Sequence, residues 1–353
     1  MQNSPEIVII GGGLSGLCTA YLLQKKGMKA QILEARSSLG GRIRTLRPDR
    51  ESHIEMGATW LGRKHHHLLD LLDELNVEIE EQFMGDKGYY EPMSTSPPQL
   101  VNLPPAEEPS FRISGGTDRL ILALADRLDK ESIHLNKPVK TVRSTDSSLV
   151  VETGSTSMRA DFVISTLPPK LLAGQVEFSP SLPDKLMDIA SKTHTWMAES
   201  IKVALRFSKP FWRDTDSSGT IFSNVGPVNE MYDHSGNGHY ALKGFINSAY
   251  HTVSRDERKK LVIEQLRRFY GKKVDAYLSY HERVWQNEPY SFSKYEHPVI
   301  PHQNNGHSIF NYTLFDRRLL VSGSETASEF PGYMDGAVES ARSSARQIAR
   351  LLS

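Results

Sequence analysis

Three glycines near the start of the chain have the spacing of a phosphate-binding turn. They are Gly11, Gly13 and Gly16, and an acidic residue, Glu34, follows them at about the 20-residue interval typical of dinucleotide sites. Gly11 permits a tight turn, Gly13 lets the backbone approach a pyrophosphate, and Gly16 lets a helix pack closely on a strand. The helix N-terminus would face the phosphate charge, and Glu34 would accept a hydrogen bond from a ribose hydroxyl. The pattern therefore predicts dinucleotide binding.

The elements around these glycines are the ones that such a turn requires. Residues 7–10 form a continuous apolar run, residues 17–23 have helical spacing, and residues 29–33 read as a second strand. Strand, turn, helix and strand is the context in which the glycine pattern carries meaning. A carboxylate at Glu34 disfavours NADP, because it would repel a 2′-phosphate. This unit alone leaves NAD, FAD and a glycine-rich turn without a ligand open.

Composition narrows the class of protein. The chain has 353 residues, 42 Lys plus Arg against 42 Asp plus Glu, and a single cysteine, Cys18. The balanced charge argues against a nucleic-acid partner, and one thiol excludes a disulfide framework or a Cys-rich zinc site. No signal peptide and no apolar run of membrane-spanning length is recognised. We therefore expect a soluble, cytoplasmic protein of two domains, with no metal site.

Further along the chain, apolar periodicity predicts the remaining elements. Residues 91–109 are rich in proline and lack periodicity, which predicts a loop or a crossing between domains. Helices are predicted over 68–75, 119–128, 258–270 and 334–352, and strands over 139–142, 149–153, 161–165, 201–207, 241–246 and 319–322.

The segment around and after Glu34 distinguishes FAD from NAD. LEARSSLGGRIRT (residues 33–45) places two glycines and an arginine beside the phosphate end of the dinucleotide. Here the chain resembles the flavin amine oxidase family, the monoamine oxidase-like FAD-dependent oxidoreductases. The resemblance continues in IEMGATWLG (54–62), FVISTLPP (162–169), SIKVALRFSKPFW (200–212) and LLVSGSETASEFPGYMDGAVESA (319–341).

The resemblance implies FAD as cofactor and a set of residues that bind it. The final helix would direct its N-terminus at the flavin ring, where it would stabilise negative charge. The expected FAD-binding residues are Gly11, Gly13, Leu14, Ser15, Gly16, Glu34, Ala35, Arg36, Gly40, Gly41, Arg42, Gly57, Ala58, Thr59, Trp60, Val139, Thr166, Gly323, Ser324, Glu325, Gly332, Met334 and Ala337.

Three residues are expected to act on the substrate side. Lys202 lies in an alternating strand and by itself reads as a solvated lysine, but it matches the family lysine that holds a water against flavin N5. Tyr333 matches one wall of the family's aromatic cage. Tyr295 is expected to be the second wall, with Tyr290 as the weaker choice. Two parallel rings would exclude water and orient the amine nitrogen.

The chain departs from the family pattern in two places. Some members attach FAD through a cysteine just before the second cage tyrosine, but Lys294 stands there and Cys18 lies in the first helix. We therefore expect non-covalent FAD. The long helical insertion of the family is reduced here to residues 91–109. The substrate domain is thus expected to be shortened, with a cavity roof that is open or supplied by a second subunit in a homodimer.

These observations predict an α/β fold with a Rossmann-type FAD-binding domain and a smaller mixed-sheet α+β substrate domain. The FAD domain would be discontinuous (1–80, 110–188 and 288–353), and the substrate domain would take 81–109 and 189–287. The resemblance implies an amine oxidase: a neutral amine gives a hydride equivalent to flavin N5, the imine hydrolyses, and O2 reoxidises the flavin to yield H2O2. The alternatives are a desaturase or dehydrogenase acting on C–C bonds, an amino-acid oxidase, and an FAD-binding redox-sensing module without enzymatic activity.

Overall fold

The glycine turn joins the first strand of a parallel sheet to the first helix. The computed structural model describes residues 5–49, 52–105, 107–236 and 238–352, and elements are numbered here in chain order. Strand β1 (Ile7–Ile10) ends at Gly11, whose φ is +107°, and helix α1 (Leu14–Gln24) begins directly after Gly13. A Cβ atom on Gly16 would lie 2.0 Å from the Gly11 carbonyl oxygen, so only glycine allows this approach of helix to strand.

Five parallel strands form the sheet behind this turn. Most of their apolar side chains are buried, as expected for a sheet covered on both faces. One face packs against helices α1, α2 (His66–Leu75), α3 (Asp118–Ala125) and α7 (Met334–Leu352). The strand order is β10 (Ile133–His134), β2 (Ala30–Leu33), β1, β14 (Phe162–Ser165) and β21 (Leu319–Val321).

A four-stranded mixed sheet covers the opposite face. Its buried residues share one hydrophobic cluster with Val8, Ile10 and Val163 of the parallel sheet. The strand order is β13 (Ser157–Ala160), β12 (Leu149–Thr153), β11 (Val139–Ser144) and β15 (Glu177–Ser179), followed in the chain by α5 (Asp184–Ser191), while α4 (Pro169–Gln175) precedes β15.

A seven-stranded mixed sheet forms the second large body. Helix α6 (Arg255–Tyr270) packs on one face, around the fully buried Trp212. All neighbouring strands are antiparallel except β17 and β7, which run parallel. The order is β20 (Ser279–Val284), β16 (Ile201–Phe207), β19 (Tyr240–Ile246), β18 (Val228–Asp233), β17 (Ile221–Ser223), β7 (Lys87–Glu91) and β8 (Gln99–Asn102).

Short elements link these layers. A two-stranded sheet pairs β3 (Thr45–Leu46) with β4 (Ile54–Glu55), and a three-stranded sheet has the order β5 (Trp60–Leu61), β9 (Phe111–Ile113), β6 (Ile79–Glu81). Short 3-10 helices are Lys130–Ser132, Arg213–Thr215, Ser248–Thr252, Gly271–Ala276, Trp285–Asn287, Ser308–Asn311 and Ser324–Thr326.

The predicted elements can be compared with these bounds. The four predicted helices correspond to α2, α3, α6 and α7, and the six predicted strands to β11, β12, β14, β16, β19 and β21. The stretch 91–109 differs, because it contains β8, which pairs with β7 at the sheet edge. Its prolines flank that strand rather than interrupt it, and an edge strand tolerates such neighbours. The parallel sheet draws on residues 7–165 and 319–321 and the seven-stranded sheet on 87–102 and 201–284, which supports the expected discontinuous division, still a prediction.

Candidate active site

A cavity of about 740 Å³ lies where the carboxyl ends of the parallel strands meet the seven-stranded sheet. Most of the residues expected to bind a cofactor or substrate line it, although they come from distant parts of the chain. They are Gly11, Gly13, Leu14, Ser15, Glu34, Ala35, Arg36, Gly40, Gly41, Arg42, Gly57, Ala58, Thr59, Trp60, Val139, Thr166, Lys202, Ser324, Gly332, Tyr333, Met334 and Ala337. Gly16, Gly323, Glu325 and Tyr295 lie behind or beside this lining.

At one end of the cavity, the carboxylate of Glu34 holds two backbone turns together. Its Oε2 accepts a hydrogen bond from the amide of Gly12 at 2.7 Å, and its Oε1 accepts one from the amide of Arg36 at 2.8 Å. The side chain is almost fully buried at the end of β2. Glu34 therefore fixes the glycine turn as well as facing the cavity.

A second glycine pair closes against the first turn. Gly40 has a φ of +110° and Gly41 a φ of +58°, both in the region that favours glycine. The Gly40 amide donates to the carbonyl of Gly12 at 2.9 Å. Backbone rather than side chains thus forms this wall, which leaves room for a phosphate group to approach.

Arg42 is held in the cavity wall by a buried carboxylate. Its guanidinium donates to both carboxylate oxygens of Glu325, at 2.5 and 2.9 Å, and to Ser324 Oγ at 2.8 Å. Burial alone would raise the pKa of the Glu325 carboxyl, but the charge and hydrogen bonds of Arg42 outweigh it and the pKa is lowered. Glu325 thus stays ionised and orients Arg42 from behind the lining.

Lys202 is buried in the middle of β16 and its ammonium reaches the cavity. Its Nζ donates to the carbonyl oxygen of Gly57 and lies 3.5 Å from Thr59 Oγ1. Burial lowers the pKa of Lys202 to about 8, with the charge of Glu55 opposing the shift. The solvated lysine that its strand alone would suggest does not occur.

A second buried lysine, Lys243 on β19, lies behind the same wall and was not anticipated. It is fully buried, its Nζ donates to Thr59 Oγ1 at 2.7 Å, and it lies 4.4 Å from the centre of the Trp60 ring. Burial lowers its pKa well below the usual value, and the charge of Lys202 lowers it further. Thr59 therefore connects two lysines that compete to be protonated.

The aromatic residues around Tyr333 differ in part from the expected cage. Tyr333, at the N-terminus of α7, lines the cavity, and the ring of Trp196 lies 5.8 Å from it. His302 stacks on Trp196 at 4.0 Å. Tyr295 lies outside the lining: its hydroxyl accepts from the amide of Thr195 at 2.8 Å and also bonds to the carbonyl of Thr193.

Tyr290, the weaker choice, does line the cavity, but at the dinucleotide end, 5.9 Å from the Arg36 guanidinium. Of the described rings that contact Tyr333, Trp196 lines the cavity, whereas His302, stacked on Tyr333 at 5.9 Å, lies outside the lining.

The comparisons with known proteins decide the family. A family model described as flavin containing amine oxidoreductase matches residues 14–91 and 87–349. The chain belongs to this family. The probable flavin-containing monoamine oxidase A of Dictyostelium discoideum is 25% identical, with 96% of each chain aligned. The amine oxidase [flavin-containing] B of Cavia porcellus is 26% identical over 99% of this chain and 86% of the relative.

Solved structures of amine oxidases share the fold. Putrescine oxidase bound to putrescine superposes with a TM-score of 0.85 at 21% identity, covering 98% of this chain and 99% of the other. Cyclohexylamine oxidase from Brevibacterium oxydans gives 0.85 at 18% identity, covering 99% of each. The expected α/β fold, the FAD cofactor and FAD-dependent amine oxidase activity are confirmed. Of the described helices, none has the length and apolar character needed to span a membrane.

The cavity of this flavin-containing amine oxidoreductase fits FAD. A volume of about 740 Å³ lies within the range of sites for ligands of this size. Added Cβ atoms would clash with backbone at Gly57, 2.2 Å from the Arg42 carbonyl oxygen, and at Gly40, 2.8 Å from that of Ile43. Glu34 and Arg36 would hold the ribose and phosphate end, and Arg42 and Met334 the flavin end. The single cysteine, Cys18, is buried in α1 and lies outside the lining.

Several residues in and behind the cavity lining were missed by the sequence analysis. Trp196, Glu230 and Phe245 come from segments whose patterns fit ordinary packing or solvent exposure. Lys243 carried one usable signal, since it interrupts the otherwise apolar strand YALKGFI. Even so, its strand neighbours do not tell whether a lysine is exposed or buried.

Replacement of Glu325 by Gln should weaken FAD binding. The variant removes the negative charge that orients Arg42, so we expect the dissociation constant of FAD to rise about tenfold. Reconstitution of the apoprotein, followed by flavin fluorescence, measures this constant. Acid precipitation of the holoprotein should release all FAD, as non-covalent attachment requires. The exposed Glu329→Gln variant is the control, and equal affinities in both variants would contradict the role of Glu325.

Replacement of Lys243 by Met should change how stability depends on pH. The folded protein holds Lys243 at a lowered pKa, so the unfolded chain binds more protons and stability rises with pH up to the unfolded pKa near 10.5. One such group contributes a slope of about 1.4 kcal/mol per pH unit. We expect Lys243→Met to be most stabilising, relative to wild type, at pH 7 and to lose this advantage by pH 10.

Chemical denaturation at several pH values measures this difference. The exposed Lys272→Met variant serves as control and should show a constant difference from wild type. A Lys243→Met difference that also stays constant across the range would show that Lys243 is not held at a lowered pKa.

Proposed function

We propose that this flavin amine oxidoreductase oxidises a primary or secondary amine to an imine and passes the electrons to O2, which gives H2O2. The observation that supports this most directly is a buried lysine, Lys202, at a cavity wall formed by Gly57 and Thr59. Bound FAD supplies the hydride acceptor for oxidation of the C–N bond. The protein's own residues then bind, orient and shield the amine.

Tyr333 and Trp196 support the binding of the uncharged amine. Their rings lie 5.8 Å apart at 35°, next to the N-terminus of α7. Apolar faces of this kind exclude water and favour a nitrogen that has lost its proton, because burial disfavours the charged form. Tyr295 remains a proposed cage residue, and its placement beside Thr193 and Thr195 suggests that it supports the segment that carries Trp196.

Lys202 and the start of α7 supply positive charge at the proposed site of O2 reduction. The Nζ of Lys202 is fixed by the Gly57 carbonyl, and the side chain is almost fully buried in the cavity wall. The first turn of α7 adds the partial positive charge of unpaired amide groups. We propose that both stabilise the negative charge that develops as O2 is reduced.

We also propose that the FAD-binding domain is discontinuous in the chain, with the division given above, and that the protein forms a homodimer.

Glu230 supports a substrate with a second positive group. It is half-buried on β18, lines the cavity, and accepts a hydrogen bond from the Tyr232 hydroxyl at 2.9 Å. A register shift between Val228 and Glu230 lets neighbouring Asn229 line the cavity too. A carboxylate on the wall would attract the distal ammonium of a diamine. The solved structure of putrescine oxidase with putrescine makes 1,4-diaminobutane a suitable first probe.

Lys202→Met should slow oxidation of the reduced flavin by O2 more than its reduction by amine. We expect reoxidation to fall at least about tenfold, since a buried positive charge next to a reacting centre contributes on this scale. Anaerobic stopped-flow mixing with a panel of primary, secondary and diamines measures reduction, and mixing with O2 measures reoxidation. Lys272→Met is the control. If no amine bleaches the flavin, the proposed reaction is wrong; if amines bleach it and Lys202→Met reoxidises normally, the role of Lys202 is wrong.

Glu230→Gln should reduce the preference for diamines. Loss of one charge-assisted contact is expected to lower kcat/KM for 1,4-diaminobutane about 10- to 100-fold relative to butylamine. Steady-state assays of H2O2 formation with both amines measure the ratio. The exposed Glu296→Gln variant should keep the wild-type ratio, and the same ratio in Glu230→Gln would exclude a distal ammonium contact.

A further inference from the structure

One face of the seven-stranded sheet carries a row of paired residues that leads out of the cavity. Lys202 pairs with Phe245, Phe245 with Glu230, Glu230 with Phe222, and Phe222 with Tyr90, on five successive strands. Residues directly paired on neighbouring strands point to the same face of a sheet. The row is therefore continuous from the buried lysine to the outer strands.

Exposure increases along this row. Lys202 is 5% exposed, Phe245 and Glu230 are half-buried and line the cavity, and Phe222 and Tyr90 are 37% and 41% exposed. Strands lie about 4.8 Å apart, so Glu230 is roughly 10 Å and Tyr90 roughly 19 Å from Lys202 along the sheet. Two exposed aromatic rings thus lie beyond the carboxylate, in line with the reacting end.

The row reaches the surface where the match to the family is divided. The family match falls into two segments that meet at residues 87–91, which is strand β7 itself. The alignments with the two relatives run over 447 and 463 positions, against 353 residues in this chain, so those relatives carry additional residues. The family pattern is interrupted at the strand where the row reaches the surface.

Isolated exposed aromatic residues are common, but Phe222 has specific neighbours. The ring of Phe222 lies 6.0 Å from that of Tyr232, whose hydroxyl bonds to Glu230. Tyr232 in turn lies edge-on to Trp60 in the cavity wall, with ring centres 5.2 Å apart. Aromatic contacts therefore connect the outer surface with the cavity.

We propose that this row is an extended substrate-binding track. On the basis of the proposed function, it takes an amine whose reacting nitrogen lies near Lys202 and whose chain carries a second ammonium group at Glu230. An aromatic or apolar group at the far end then lies against Phe222 and Tyr90. Continuity with the cavity and the negative charge of Glu230 support a substrate tail as occupant, rather than a second copy of the chain.

A series of three amines tests the track. Butylamine reaches the reacting end, 1,4-diaminobutane adds the second ammonium group, and N-(4-phenylbutyl)-1,4-diaminobutane adds an aryl tail. In the wild-type protein, kcat/KM should be highest for the aryl diamine. Phe222→Ser and Tyr90→Ser should each lower the ratio of kcat/KM for the aryl diamine to that for 1,4-diaminobutane roughly three- to tenfold.

Matched variants separate contact with the tail from an effect on folding. Tyr90→Phe keeps the ring and should retain the wild-type ratio, while Tyr312→Ser removes a ring that is 67% exposed elsewhere and should also leave it unchanged. An unaltered ratio in both Phe222→Ser and Tyr90→Ser would overturn the proposal. If the variants also changed the sedimentation mass, the face would instead join two copies of the chain.

A binding measurement distinguishes failure of the track from failure of the proposed reaction. The analogue N-(4-phenylbutyl)-4-aminobutanol has a hydroxyl group in place of the primary amine. Calorimetric titration should give a three- to tenfold larger dissociation constant in Phe222→Ser than in wild type. Equal constants would count against the track, whether or not any amine is oxidised.

Discussion

The close approach of two backbone turns at the end of a parallel sheet is the constraint on which this site depends. Glu34 provides it, because one buried carboxylate accepts hydrogen bonds from both Gly12 and Arg36. Because these amides are fixed, backbone atoms form the cavity wall between β1 and the Gly40–Gly41 turn. A negatively charged side chain at this point also limits which dinucleotides fit. The same residue therefore contributes to architecture and to cofactor choice.

The charged groups in and behind the cavity wall form an ion pair and a pair of lysines that compete for protons. The buried carboxylate of Glu325 neutralises Arg42 in the cavity wall, whereas Lys202 and Lys243 share Thr59 and oppose each other's protonation. The first arrangement gives a rigid wall, and the second gives a site whose proton content responds to its surroundings. The buried carboxylate of Glu55 partly offsets the two lysines.

The parts of this protein that could be predicted from sequence are those with local signals. The glycine turn, the strand that ends just before Glu34 and the helix that follows Tyr333 are each specified within a few residues. Lys243 and Trp196 could not be predicted, because their roles depend on segments that meet only in the folded protein. The family resemblance implies Tyr295 as a cage wall, and no local pattern indicates that its hydroxyl bonds to Thr193 and Thr195.

The order of segments in the parallel sheet has a consequence for biosynthesis. The sheet begins with β1 but is completed by β21, and α7 then packs against α1. At typical rates of translation, the roughly 300 residues between them take about 15–60 s to emerge from the ribosome. The nucleotide pocket is therefore incomplete until α7 has been synthesised, and the face of α1 that packs against α7 stays uncovered until then. Stable binding of the cofactor is therefore expected only after α7 has joined α1, although the glycine turn forms near the start of synthesis.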